Sequence, residues 1–182
     1  MKARATAGFS LIELLMGLAI GAILLLLAMP GYVQWIADTQ VRNGAESVAA
    51  GLRDAMTRAI RENTRVEFNI DTTTKTGGWS VRYPGQAALT SASFNEGDDR
   101  AVFAATPGGS ATVTFTGLGV IPPANLDGTA PFESIDITNP SSTMTLRVLV
   151  PVNTATGRRS GIKICDTRWP ASDPKGCPAP TA

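Results

Sequence analysis

One carboxylate, Glu13, interrupts an otherwise apolar run from Phe9 to Met29. A charged side chain at the centre of a membrane helix costs roughly 2.5–3.5 kcal/mol on insertion scales, so a lone one marks a functional site by default. A carboxylate can bind a cation, move a proton or neutralise an amine. Enzymatic use needs partners, and the chain has no histidine. That removes histidine-based triads and the commonest metal ligand. No phosphate loop or dinucleotide fingerprint is present either. Glu96, Asp98 and Asp99 form an acidic loop. A calcium loop needs ligands at regular spacing, so a solvated turn is the better reading. The chemistry on offer is charge pairing, and the expectation is a protein that is not an enzyme and needs no cofactor or metal.

Two further groups could do chemistry. Cys165 and Cys177 lie close together near the C-terminus. In an exported chain an isolated close pair reads as a disulfide, and closing so short a loop contributes about 2–4 kcal/mol. The tail around it, with Pro170, Pro174, Gly176, Pro178 and Pro180, cannot form regular structure, so a covalent staple has a use. Two thiolates without histidine do not complete a tetrahedral zinc shell. The other group is cationic. From Pro151 onward, Arg158, Arg159, Lys163, Arg168 and Lys175 outnumber Asp166 and Asp173, a net +3, while Phe9–Val150 carries a net −4. A basic tail on an acidic body marks either an anionic partner or a solvated surface.

The elements that must position these groups are legible in outline. At about 1.5 Å per residue, Phe9 to Met29 spans a bilayer core of roughly 30 Å. The run is too long for the apolar core of a secretory signal peptide and lacks a convincing Ala-x-Ala site. A plain anchor fits the length but gives no reason for Glu13. Gly17 and Gly21 form a small-xxx-small pair, which either allows close helix approach or loosens the helix. Pro30-Gly31 should kink or loosen it. Beyond, Val33, Ala37, Val41, Ala45, Val48, Leu52, Met56 and Ala59 recur every three or four residues and make one helical stripe. Asp38–Arg42 and Asp54–Arg58 are spaced as i,i+4 pairs. Asn63-Thr64 ends the pattern, giving one helix of about 50 residues, far beyond an ordinary globular helix.

After residue 64 the period changes to two. Val66–Ile70 and Trp79–Tyr83 read as a hairpin. Further strand candidates are Ala101–Ala105, Ala111–Thr116, Glu133–Thr138, Thr143–Val150 and Gly161–Cys165, separated by proline and glycine turns. With no helix-length segment left for parallel crossovers, an antiparallel sheet follows, covered by the amphipathic half of the helix. The fold class is α+β.

The N-terminus, Lys2 and Arg4 followed by Ala7-Gly8-Phe9-Ser10-Leu11-Ile12-Glu13-Leu14, closely resembles the class III signal of type IV pilins and type II secretion pseudopilins. The resemblance implies cleavage by prepilin peptidase after Gly8, N-methylation of Phe9, and a role for Glu13 in guiding filament assembly. Val113–Val120 and Gly157–Cys165 resemble segments of the GspH/FimT branch of minor pilins; a sheet core is their plainer reading. The implied organisation is a leader (1–8), a transmembrane and assembly helix (9–30) and a periplasmic pilin-like domain (31–182). That domain comprises an amphipathic helix (31–63), a sheet (about 65–165) and a disulfide-closed tail (165–182). The implied function is a minor pilin that helps initiate or cap a type IV pilus. Its partners would be other minor and major pilins, and it would sit in the inner membrane before assembly and in the filament afterwards.

Two alternatives remain open at this point. One is a minor pseudopilin of a type II secretion system. The other is a FimT-like pilin that binds DNA during uptake. In such proteins a Gly-Arg-x-Arg motif near the C-terminus contacts DNA. Here Gly157-Arg158-Arg159-Ser160 matches only the first arginine. Arg159, Lys163, Arg168 and Lys175 could compensate, with Trp169 as a stacking surface.

Overall fold

Ser10 starts the long helix in the computed structural model, which describes residues 10–72, 77–93, 101–151, 153–154, 157–158 and 161–178. Ser10 is extended (φ −75°, ψ 149°), and its Oγ accepts the Glu13 N–H at 3.2 Å, satisfying one orphan donor of the first turn. The helix, α1, runs Leu11–Glu62, 52 residues. Asn63 ends it in the left-handed conformation (φ 46°, ψ 42°), one that asparagine tolerates better than most residues.

Pro30, where a kink or loosening is expected, lies inside α1, and the helix is continuous through it. The ring removes the one hydrogen bond that would reach the Leu26 carbonyl, and helical turns continue on either side.

The strands are β1 (Val66–Asp71), β2 (Gly78–Arg82), β3 (Ala88–Ser93), β4 (Val102–Thr106), β5 (Thr112–Phe115), β6 (Ser134–Thr138), β7 (Leu146–Leu149), β8 (Asn153–Thr154), β9 (Gly157–Arg158) and β10 (Lys163–Asp166). The expected hairpin is present, with Phe68 opposite Val81. The single expected sheet is instead two four-stranded antiparallel sheets, ordered β3-β2-β1-β5 and β10-β7-β6-β4, with a β8-β9 ribbon. The turn after β4 does not close a hairpin: β4 pairs with β6, and β5 crosses to β1.

Helix length explains the division. The residues of α1 that the body buries run from Ala37 to Ala59, about 33 Å of axis. Four strands at about 4.8 Å spacing cover only about half of that. Both sheets therefore touch α1: β1, β2, β3 and β5 from one, β6, β7 and β10 from the other.

The expected stripe forms the contact from Ala37 onward, while Val33 is exposed and Met56 only partly covered. Small residues let the backbone come close. A Cβ on Gly51 would stand 2.8 Å from both Phe68 Cε2 and Trp79 Cε3. Those rings stack at 5.8 Å, and Phe132 meets Phe68 edge-on at 6.1 Å. Trp79 donates its indole N–H to Ser47 Oγ at 2.9 Å, so this aromatic contact is also aimed. At the far end Gly119, at φ +69°, fits under Ile60, where a Cβ would come within 2.7 Å of Cδ1. Asp54–Arg58 forms its pair at 2.9 Å. Asp38 takes a hydrogen bond from Ser142 instead.

Gly51→Val should force buried, rigid rings apart and cost about 1–3 kcal/mol in urea unfolding of the soluble domain. Unchanged stability would mean that α1 does not sit this close to the sheets.

Candidate functional site

Two surfaces hold the residues singled out by sequence. At the N-terminal end, Glu13 occupies the third helical position, on the first turn, where the helix dipole favours a carboxylate. Ser10-Leu11-Ile12-Glu13 has the Ser-x-x-Glu spacing of a capping box, a signal available in the sequence that accounts for the position of the helix start. The carboxylate is exposed, and Glu13, Leu14, Gly17 and Leu18 line a shallow apolar notch. Among the described residues no side chain pairs with it. After Arg4 the next basic residue is Arg42, about 44 Å further along the axis. No residue from Ser10 to Ile36 is buried. This half of α1 is thus a bare apolar rod with one acid near its tip. Gly8 and Phe9 lie outside the described residues, as do Glu96, Asp98 and Asp99.

At the other end the tail folds back on β10. Cys165 and Cys177 are joined, with Cα atoms 5.0 Å apart. Asp166 N–H donates to the Lys175 carbonyl at 2.8 Å, and Thr167 N–H to Thr145. In the sequence Asp166 is only one of the two tail acids. It is buried, and its carboxylate takes Arg168 Nη2 on Oδ2 at 2.7 Å, Nε shared between Oδ1 at 3.0 Å and Oδ2 at 3.2 Å, and the Arg168 backbone N–H at 3.0 Å. The Asp-x-Arg spacing was the available signal.

That pairing redistributes the candidate cations. Arg168 is committed to Asp166, and Lys175 Nζ stands 6.0 Å over the Trp169 ring. Lys163 is exposed on β10. Arg158 belongs to the β8-β9 ribbon by its backbone, and Arg159 lies outside the described residues. Between the tail and α1 is a groove of about 520 Å³ with an apolar floor of Met144, Leu146 and Ile164 and a rim that includes Arg42, Glu46, Arg168 and Lys175. Among the described residues no cluster of three or more acidic, cysteine or histidine side chains could hold a metal.

The family model described as "Type II transport protein GspH" matches residues 44–157, and the one described as "Prokaryotic N-terminal methylation motif" matches residues 3–29. The chain belongs to the GspH family. It is a minor pilin or pseudopilin of the GspH/FimT type, a class of structural, non-enzymatic proteins. The methylation motif implies processing by prepilin peptidase and assembly with other pilins or pseudopilins. Similar solved structures include the type IV minor pilin FimU of Pseudomonas aeruginosa, at 15% identity and TM-score 0.47, covering 68% of this chain and 96% of that one. The minor pseudopilin EpsH of Vibrio cholerae is similar at 14% identity and TM-score 0.45, covering 70% and 97%. The GspH of E. coli is similar at 18% identity and TM-score 0.45, covering 73% and 92%. No curated protein matches the chain.

The Arg168 side-chain hydrogen bonds hold the Asp166 carboxyl below its ordinary 3.8, against the opposing effect of burial. A carboxyl depressed by folding stabilises the fold fully above its unfolded value and loses that contribution as pH falls through the lower folded one. Thermal melts should therefore show a stability step in the acid range below 3.8 that Asp166→Asn removes. Replacing both cysteines by serine should cost about 2–4 kcal/mol and open the tail to proteolysis. Intact protease resistance would mean that backbone bonds alone hold it.

Proposed function

We propose that this GspH-family chain is a minor pilin of a type IV pilus that helps to initiate or cap the filament. Residues 1–8 are its leader, 9–30 its membrane and assembly helix, and 31–182 its periplasmic domain. Cutting between Gly8 and Phe9 creates an amine. In a neighbouring subunit the Glu13 carboxylate neutralises such an amine. In a low-dielectric place opposite charges attract strongly and an unpaired one is heavily penalised. The pair therefore fixes the axial register of an incoming subunit. The observation that carries this reading is the bare first half of α1: it holds one acid with no partner among the described residues, and none of its residues from Ser10 to Ile36 is buried. A surface of that kind needs a bilayer first and other helices afterwards.

Glu13→Gln should leave cleavage intact and lower recovery of the chain in sheared pili by an order of magnitude or more, measured by immunoblot against the membrane fraction. Normal incorporation would contradict the pairing.

Two other readings stay in competition. Capture of DNA is supported by the net +3 tail and exposed Lys163, with Arg158 on the nearby ribbon. Binding by a few cations would be sequence-independent and steeply salt-dependent. The purified domain from residue 36 onward should then retard duplex DNA at about 50 mM salt, and Arg158→Gln with Arg159→Gln should abolish the shift. No retardation at that salt would end this reading for the isolated subunit. The third reading, a minor pseudopilin, has support in the description of the matching family model. Neighbouring genes separate it from the first: minor pilin genes favour the pilus, and a secretin-and-pseudopilin operon favours secretion.

A further inference from the structure

Two aromatic rings stand on α1 just before the body begins to bury it. Tyr32 and Trp35 are 61% and 64% exposed, with ring centroids 6.2 Å apart. The first buried residue, Ala37, follows within a turn. The chain uses its other ring-rich surface differently: Trp79, Phe68 and Phe132 are in the core. Tyr32 and Trp35 pack only on each other among the aromatic contacts of the described residues.

Their height along α1 is informative. From Leu11 the helix rises about 32 Å to Tyr32 and about 36 Å to Trp35. A hydrocarbon core is about 30 Å thick, and the headgroup layers bring the whole to about 40–45 Å. Helical side chains lean toward the N-terminus, so both rings reach back toward the apolar span from their own Cα atoms. Rings with an apolar body and a polar tip concentrate at this depth. No charged residue lies between Glu13 and Asp38, so nothing here selects anionic lipid.

The body starts at the same level. Gln34 Nε2 donates to Thr143 Oγ1 at 3.5 Å, and Ser142 donates to Asp38. The turn between β6 and β7 thus lies at the same height along α1 as the rings, with Pro140 and Thr143 exposed.

We propose that Tyr32 and Trp35 are an interfacial anchor that docks in the phospholipid headgroup layer. It holds α1 at a fixed depth and seats the body directly on the bilayer until the subunit enters a filament. The inference rests on the reading that the first half of α1 spans a membrane. The competing occupant of these rings is a neighbouring subunit, in which case they face water in the isolated chain.

Depth-dependent quenching separates the cases, using the full chain in phosphatidylcholine vesicles. Trp169→Phe removes the other exposed indole, and Trp79 stays shielded in the core. In that background, lipids brominated near the headgroup should quench Trp35 severalfold more than lipids brominated near the chain ends. About 0.5 M salt or added anionic lipid should change this little. A second variant, Ile20→Trp with Trp35→Phe and Trp169→Phe, reports on mid-span and should show the opposite depth preference. If Ile20→Trp is quenched by deep bromines but Trp35 is unquenched and emits as in water, the anchor is overturned while the span stands. If Ile20→Trp is not quenched at all, the span reading fails and the anchor fails with it.

Discussion

Close approach between α1 and two sheets is the constraint on which the rest of the fold depends. It is made by alanines, glycines and a few branched residues on one helical face, and Gly51 shows how little room remains. Because about 33 Å of helix must be covered, a single small sheet is insufficient, and β4 and β5 part company to serve different sheets. The tail is then tied to the outer strand of one of them by the disulfide and by Asp166. The same helix continues without a break into a half that no sheet covers. One rigid element therefore joins a water-soluble body to a rod suited to lipid and to other rods. A displacement of the rod in an assembly moves the body with it.

That continuity gives Glu13 its meaning. Near the end of an uncovered rod, the acid has no cation within reach among the described residues of its own helix, where the first basic residue, Arg42, is about 44 Å from Glu13 along the axis. A capping role with Ser10 explains why a carboxylate is tolerated at the helix start. It does not explain why the acid is embedded in an apolar run. Membership of the GspH family supplies a reason of the right kind: under the proposed cut before Phe9, each neighbouring chain would carry a cation in the same apolar zone.

The parts legible in sequence were those with local periodicity. The helical stripe from Ala37 to Ala59, the β1-β2 hairpin and most later strands follow directly from periods of 3.6 and 2. Val33 fits the stripe yet is exposed, since periodicity cannot say where the body ends. β3 escaped notice because Ala88–Ser93 is an exposed edge strand of small and polar residues. The division into two sheets is a matter of non-local pairing, which alternation does not encode. Counting charges in the tail treated Arg168 as available, whereas Asp166, two residues earlier, holds it in a bidentate pair. Glu13 stands out in the sequence because a carboxylate is anomalous within an apolar run. The tail does not, because its cations are defined by their neighbours.

One distance that a single chain cannot contain decides the pairing, that between the Glu13 carboxylate and an N-terminal amine. A cryo-electron microscopy reconstruction of a filament tip that includes this subunit would measure it directly. The expected result is an amine nitrogen of another chain within about 4 Å of a Glu13 carboxylate oxygen, buried among apolar helices. A Glu13 that faces water, or that pairs with a side chain of its own subunit, would contradict it.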